Sequence, residues 1–215
     1  MSPEARSPYG EQLPIGGSPL QCKIAEAAVE LFYRKGAPGT TVREITAACG
    51  LSPGALYNHF DSKDHLLYVL IRDVHIQVDA QLAEVIAHSG PDPAAQLMAA
   101  VRFLVSHTAG FKKQSRVANR EFTVLTGAWR SEIRDLRRQI RDRLTGILVT
   151  GAEQGSFDLA GGNGPDAANL SAATIIAICA HISEWTLERQ ALSLTALEDR
   201  FALMALRLAG TGPRG

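Results

Sequence analysis

Between Thr41 and Lys63 the chain gathers hydrogen-bond donors and small side chains at spacings suited to a nucleic-acid duplex. Tyr57 and His59 can donate to phosphate oxygens. Lys63 can add a charged contact at the start of a helix, where backbone N–H groups also favour an anion. Thr41 and Arg43 are further candidates on the same stretch. Ser52, Pro53, Gly54 and Ala55 lie among these donors. They are small enough to let a helix approach base edges closely, and none is a strong hydrogen-bonding reader. Specificity is therefore expected to rest partly on van der Waals contact and duplex shape.

Other chemistries find less support. Lys plus Arg and Asp plus Glu each number 22, for a formal net charge of +0, so a sequence-blind polybasic coat is not expected. The pairs His75/Asp79 and His181/Glu184 have helical spacing and can each offer metal ligands, but neither forms a recognised set. Cys22, Cys49 and Cys179 are too far apart for a zinc site or a disulfide framework and read as buried thiols, with a redox role for Cys49 as the alternative. No GxSxG, HExxH or GxxxxGK[ST] motif occurs, and Gly161–Gly164 lacks the strand-turn-helix setting of a phosphate loop. Neither catalysis, a cofactor nor a metal is expected.

The elements that position the donors follow from periodicity and breakers. Ile24, Ala27, Ala28, Leu31 and Phe32 mark one face of a helix over about 20–35, closed by Gly36. Thr41 and Glu44 form a capping box for a short helix over 42–49, which Gly50 ends. Ser52 and Pro53 open a third short helix ending near 57–59. Val42, Ile45, Leu51 and Leu56 can pack the two short helices against the first, giving a helix-turn-helix. Asp61 or Ser62 then starts a long helix that stops before Gly90. Further helices are expected over about 93–111, 116–125, 131–154, 166–189 and 195–208, with a loop over 155–165.

The run Ile24–Phe32, with Gly36, Thr40–Val42, Ile45, Gly50–Ser52, Gly54, Leu56–Tyr57, His59–Phe60, Ser62–Lys63 and Leu66–Leu67, resembles the DNA-binding domain of the tetracycline-repressor (TetR) family almost end to end. Thr46 and Cys49 stand where that family commonly has alanine. The resemblance implies an all-α homodimer on a palindromic double-stranded DNA operator, with repression relieved by a small ligand. It further implies a pocket among the middle helices and a dimer interface on the last two.

Residues 170–182 are almost wholly small or apolar, so this helix must be buried on more than one side. Ile175, Ile178 and Ile182, with Phe201, Met204 and Leu208 of the final helix, are the candidate dimer contacts; an intramolecular core is the alternative. Candidate effector contacts are Phe103, His107, Phe111, Arg120, Phe122, Trp129 and Trp185, although aromatic residues at helical spacing also serve as plain core. The segment 115–121, the charged helix 132–138 and the ending from Trp185 are similar, more loosely, to a TetR subgroup that controls lipid, fatty-acid or steroid breakdown. Some of its members sense acyl-CoA thioesters. That likeness implies an acyl-CoA or other hydrophobic effector, with Arg116, Arg120, Arg137 or Arg138 near its phosphates; a solvated helix face paired at i,i+4 is the alternative.

The expected fold class is all-α with about nine helices. Residues 1–19 form a disordered arm, 20–66 the N-terminal three-helix helix-turn-helix domain, 67–210 a larger helical ligand-binding and dimerisation domain, and 211–215 a flexible tail. With neither an export signal nor a spanning apolar run expected, the reading is cytoplasmic. An enzyme and a helical adaptor without DNA binding are the rival classes; both should show no sequence preference toward duplexes.

Overall fold

A computed structural model describes residues 17–184 and 192–211. Among them the chain is all-helical, with eight α-helices and two short 3-10 helices and no strand. In order these are α1 (Pro19–Lys35), α2 (Val42–Ala48), a 3-10 helix (Pro53–Asn58), α3 (Lys63–Ala87), α4 (Pro93–Gly110), α5 (Lys112–Glu121), α6 (Gly127–Glu153), α7 (Pro165–His181), a second 3-10 turn (Ile182–Glu184) and α8 (Leu194–Leu208).

The starts of these helices are set by side chains that satisfy orphan N–H groups. Ser18 accepts from the Gln21 amide while the Gln21 side chain accepts from the Ser18 amide, which fixes the start of α1. The same reciprocal box forms at α2 between Thr41 and Glu44. Ser62 Oγ accepts from the His65 amide at 2.9 Å and opens α3. Asp92 accepts from Ala94 and Ala95 and opens α4.

Three expectations are corrected. The third short helix is a 3-10 turn, not an α-helix. Its bonds run from Ala55 N to Ser52 O and from His59 N to Leu56 O, a spacing of three, and the Ser52 side chain makes no capping bond. Six residues are too few to offset the end effects of an α-helix, and Gly54 in its middle further lowers propensity. Second, α6 begins at Gly127, four residues before the expected Ser131. Third, Pro165–Glu184 is long and apolar enough to pass the test for a membrane-spanning helix, with mean hydropathy 1.3. Its Ala168, Ala172, Ile175 and Cys179 are buried in the core of the chain. The expected continuation of α7 to Arg189 lies largely outside the described residues.

The described residues form two compact units. The first comprises 17–77 and 113–136: α1, α2, the Pro53–Asn58 turn, the first part of α3, α5 and the start of α6. Ile24, Ala28, Phe32, Ile45, Leu56, Leu66, Leu67 and Ile71 form its interior. The second comprises 78–112, 137–184 and 192–211. Its core draws Leu82 from α3, Phe103 from α4, Leu144 and Leu148 from α6, Ile175 from α7 and Phe201 from α8. The grouping departs from a division at residue 66, because residues 67–77 of α3 and the separate segment 113–136 share contacts with the first three helices.

Candidate nucleic-acid interface

The turn between α2 and the 3-10 helix closes with both bonds of a Schellman motif. Leu51 N–H donates to Thr46 O at 2.9 Å and Gly50 N–H to Ala47 O at 3.0 Å. Gly50 sits at φ +71°, a left-handed conformation that a side chain disfavours. Leu56, fully buried, anchors the 3-10 helix. Ser52, Pro53 and Gly54 are exposed, Ala55 is half-buried, and Tyr57 stands 58% exposed. A face of small side chains is thus presented near an aromatic donor in the same turn, and His59 is half-buried. Thr41 and Arg43 are exposed at the start of α2.

Thr46 and Cys49, the two departures from the family pattern, are accommodated. The buried Thr46 hydroxyl donates to Val42 O at 3.0 Å and lies 3.2 Å from Arg43 O. Cys49 is buried against α1, where Lys23 Nζ donates to its carbonyl at 3.0 Å. Burial pushes the Cys49 thiol upward, which disfavours the reactive thiolate.

Lys63 is placed differently from the expectation of a phosphate donor. Its ammonium donates to the carbonyls of Ala37 at 2.6 Å and Thr40 at 2.8 Å. Two of its three N–H bonds are thus committed to the turn between α1 and α2. The same turn is held from α5, where Glu121 Oε2 accepts the Ala37 amide at 3.0 Å. Lys35 joins the end of α1 to Glu44 of α2, and this bond, followed by those from Thr41, lowers the Glu44 carboxyl to about 2. Lys23 and Glu121 escaped the sequence reading, because their partners lie 26 and 84 residues away.

The candidate effector contacts divide between the units. Phe103, His107 and Phe111 form one ridge along α4, with successive ring centroids 5.7 and 5.0 Å apart. His107 is 5% exposed and neither ring nitrogen has a hydrogen-bond partner among the described residues; burial lowers its pKa to about 4. Ser106 Oγ and Gln81 Oε1 of the same unit are likewise buried without partners among the described residues. Trp129 belongs to the other unit, stacked on Tyr68 at 5.2 Å and His65 at 5.7 Å. Arg120 and Phe122 also lie there, and Trp185 lies outside the described residues. Arg137 is half-buried on α6, and desolvation lowers its pKa.

Of the candidate dimer contacts, Ile175, Ile182 and Phe201 are buried within the chain, Ile178 is half-buried, and Met204 and Leu208 are exposed. Leu170 and Leu203, exposed at 67% and 52%, add to the apolar surface of α7 and α8. No group of three or more His, Cys, Asp or Glu among the described residues is placed to hold a metal ion. His75 Nδ1 is engaged by Ile71 O, and Asp79 takes a two-pronged pair from Arg143.

Comparison with known proteins agrees with this geometry. Residues 24–69 match the family model of bacterial regulatory proteins of the tetR family, and residues 90–209 match a tetracyclin repressor-like C-terminal domain. The chain is 32% identical over 151 residues to the transcriptional repressor KstR2 of Rhodococcus jostii, covering 66% of this chain and 70% of that one. A tetR-family regulatory protein of Rhodococcus RHA1 superimposes with a TM-score of 0.80 at 28% identity, covering 90% of this chain and 98% of the other. The fold is shared with AibR, solved with isovaleryl coenzyme A and operator DNA, at a TM-score of 0.76 and 22% identity over 86% and 96% of the two chains.

Proposed function

The chain belongs to the tetR family of bacterial regulatory proteins, and on that premise we propose that it is a cytoplasmic repressor that binds a palindromic operator as a homodimer and leaves it when a small effector binds. The observation that carries this reading is the Pro53–Asn58 turn. Its exposed small face is held by a fully bonded turn on one side and by buried Leu56 on the other. Ser52, Pro53, Gly54 and Ala55 face the bases, and Thr41, Arg43, Tyr57 and His59 reach the sugar-phosphate backbone. Lys63 acts mainly by fixing the turn that presents Thr41.

The exposed apolar surface of α7 and α8, with Leu170, Leu203, Met204 and Leu208, pairs with its copy in a second chain. The two recognition turns then meet half-sites about one helical turn apart. KstR2, the Rhodococcus jostii relative, is a repressor, which supports that direction of regulation.

The effector reading rests on His107. Its ring nitrogens have no partner among the described residues; a buried donor and acceptor left so costs roughly 1–3 kcal/mol, and a ligand that hydrogen-bonds the neutral imidazole recovers that cost. Phe103 and Phe111 flank the imidazole and supply apolar contact. This suits an apolar metabolite bearing a carbonyl or hydroxyl, such as the acyl end of a thioester. Helices α3 and α6 each have residues in both units, so a bound effector can bias the DNA-binding helices by shifting a two-state equilibrium.

Titrating a selected operator with and without acyl-CoAs tests the scheme. Effector and DNA must weaken each other by the same factor. An effector that binds with equal affinity to free and operator-bound protein contradicts it.

A further inference from the structure

Among the described residues, the buried side-chain atoms left without a hydrogen-bond partner are Gln81 Oε1, Ser106 Oγ, both ring nitrogens of His107 and Arg141 Nε. All of them belong to the second unit, on α3, α4 and α6. Each lies on a core-facing stretch of its helix. Val78 and Val85, three residues before Gln81 and four after it, pack against the core. Leu144 and Leu148, three and seven residues after Arg141, are buried in it. Ser106 and His107 follow Phe103 on α4, which is buried there as well. The Asp79–Arg143 pair fastens α3 to α6, and Gln81 and Arg141 each stand two residues, or about 3 Å of helical rise, from it.

Helical geometry does not force these atoms to go unpaired. Thr145 and Ser89 return their hydroxyls to the carbonyl one turn earlier, and Ser106 does not. The rings of His75 and His88 engage the same kind of carbonyl through Nδ1, and His107 does not. Arg34, Arg72, Arg102 and Arg143 each meet a carboxylate. Around Arg141 the positions three and four residues away are Arg137, Arg138, Leu144 and Thr145, so its own helix face offers no acid. The inventory of donors and acceptors fixes what an occupant must bring. Arg141 Nε and one imidazole nitrogen donate. Gln81 Oε1 and the other imidazole nitrogen accept, because burial keeps the ring neutral. The acyl end of an unsubstituted thioester brings acceptors alone and leaves both of those acceptors unmet. An ordered water supplies a donor and an acceptor together and is the ordinary alternative.

We propose that the effector is a hydroxylated free carboxylic acid on an apolar skeleton, a class that rests on the effector reading of His107. Its hydroxyl donates to an open acceptor, Gln81 Oε1 or the imidazole nitrogen, and its own oxygen accepts from Ser106 or the imidazole N–H. Its carboxylate accepts from Arg141. The guanidinium edge that carries Nε takes a carboxylate with two parallel bonds, which an ester carbonyl does not reproduce. Phe103 and Phe111 supply the apolar contact for the skeleton.

Calorimetric titration of the full chain with 3-hydroxydecanoate, 10-hydroxydecanoate, decanoate and methyl 10-hydroxydecanoate tests the class. Saturable binding of a hydroxy acid at one site per chain is expected, with decanoate and the methyl ester weaker by at least about tenfold, roughly 1.4 kcal/mol. Gln81→Leu or His107→Leu should abolish the preference for hydroxy acid over decanoate. Arg141→Met should abolish the preference for acid over ester. Arg102→Ala, which removes a side chain paired with Asp199, should keep both preferences. Each readout is a ratio within one variant, so a general weakening through altered packing does not imitate it. Equal affinity for decanoate and both hydroxy acids, which a water-filled site predicts, overturns the proposal. So does a preference that persists in both Gln81→Leu and His107→Leu, or failure of all these probes to bind. Tighter binding of decanoyl-CoA than of either hydroxy acid overturns the class and leaves the effector reading intact. A hydroxy acid that binds with both preferences and does not loosen a selected operator keeps the site and removes the regulatory reading.

Discussion

Lys63 Nζ donates to the Ala37 carbonyl across 2.6 Å and so ties the first turn of α3 to the turn that follows α1. With the second bond to Thr40 O, it makes the start of α2 depend on a residue more than twenty positions later. Lys63→Met keeps the stem and removes the donors. The expected outcome is weaker operator binding with nearly the same salt slope, together with faster amide exchange across 37–41. A direct phosphate role instead lowers the slope by roughly one unit and leaves the exchange alone.

His107 gives the protein an acid sensitivity of definite sign. The folded-state pKa is lowered from 6.5 to about 4 by burial. Above 6.5 both folded and unfolded forms are neutral and the residue has no effect on stability with pH. As pH falls from 6.5 toward 4 the unfolded chain takes up a proton that the folded chain refuses, and stability drops. The full difference is about 3 kcal/mol. His107→Leu should remove this portion of the pH dependence in urea melts while leaving stability at pH 7.5 equal or higher. An unchanged acid slope contradicts the burial of a neutral imidazole.

Gly151 in α6 allows Phe157 to pack against the helix. A Cβ at Gly151 meets the Phe157 ring at 2.2 Å, and that ring is 2% exposed. Gly151→Ala gains about 1 kcal/mol in helix propensity and should still destabilise the protein, by a net of roughly 1–3 kcal/mol, because the ring must move. In a Phe157→Ala background the same change should cost much less, which a thermal-melt double-mutant cycle measures.

Leu203 and Met204, exposed at 52% and 44%, test the pairing surface. Leu203→Glu with Met204→Glu should shift the mass seen in light scattering from dimer to monomer while helix content by circular dichroism holds. Operator affinity should fall with it, because each half-site is then bound alone. A wild-type monomer, or an unaffected dimer, places the interface elsewhere.

Local signals were the legible ones. The Thr41–Glu44 box, Gly50 as a turn residue and Pro53 at a helix start act within four residues, so the sequence displays them directly. What stayed hidden depended on tertiary placement. Lys63 reads as a solvent-facing donor until the chain folds Ala37 and Thr40 onto it. Trp129 has the chemistry of a ligand wall, yet its face is occupied by Tyr68 and His65. Arg34 and Lys35 look like an ordinary basic helix end, and only the approach of α5 makes a cleft of them. The periodicity of 170–182 indicated burial on several sides, but it did not separate Ile175, turned inward, from Leu170, left exposed.

The regulator reading meets its most direct test in selection of random duplexes by the purified full-length chain at physiological salt, followed by footprinting of the winners. The expected result is an inverted repeat whose two protected halves lie about one helical turn apart, lost when Tyr57→Ala and Gly54→Asp are introduced together. Recovery of duplexes with no shared sequence, from protein whose helices are intact, contradicts it.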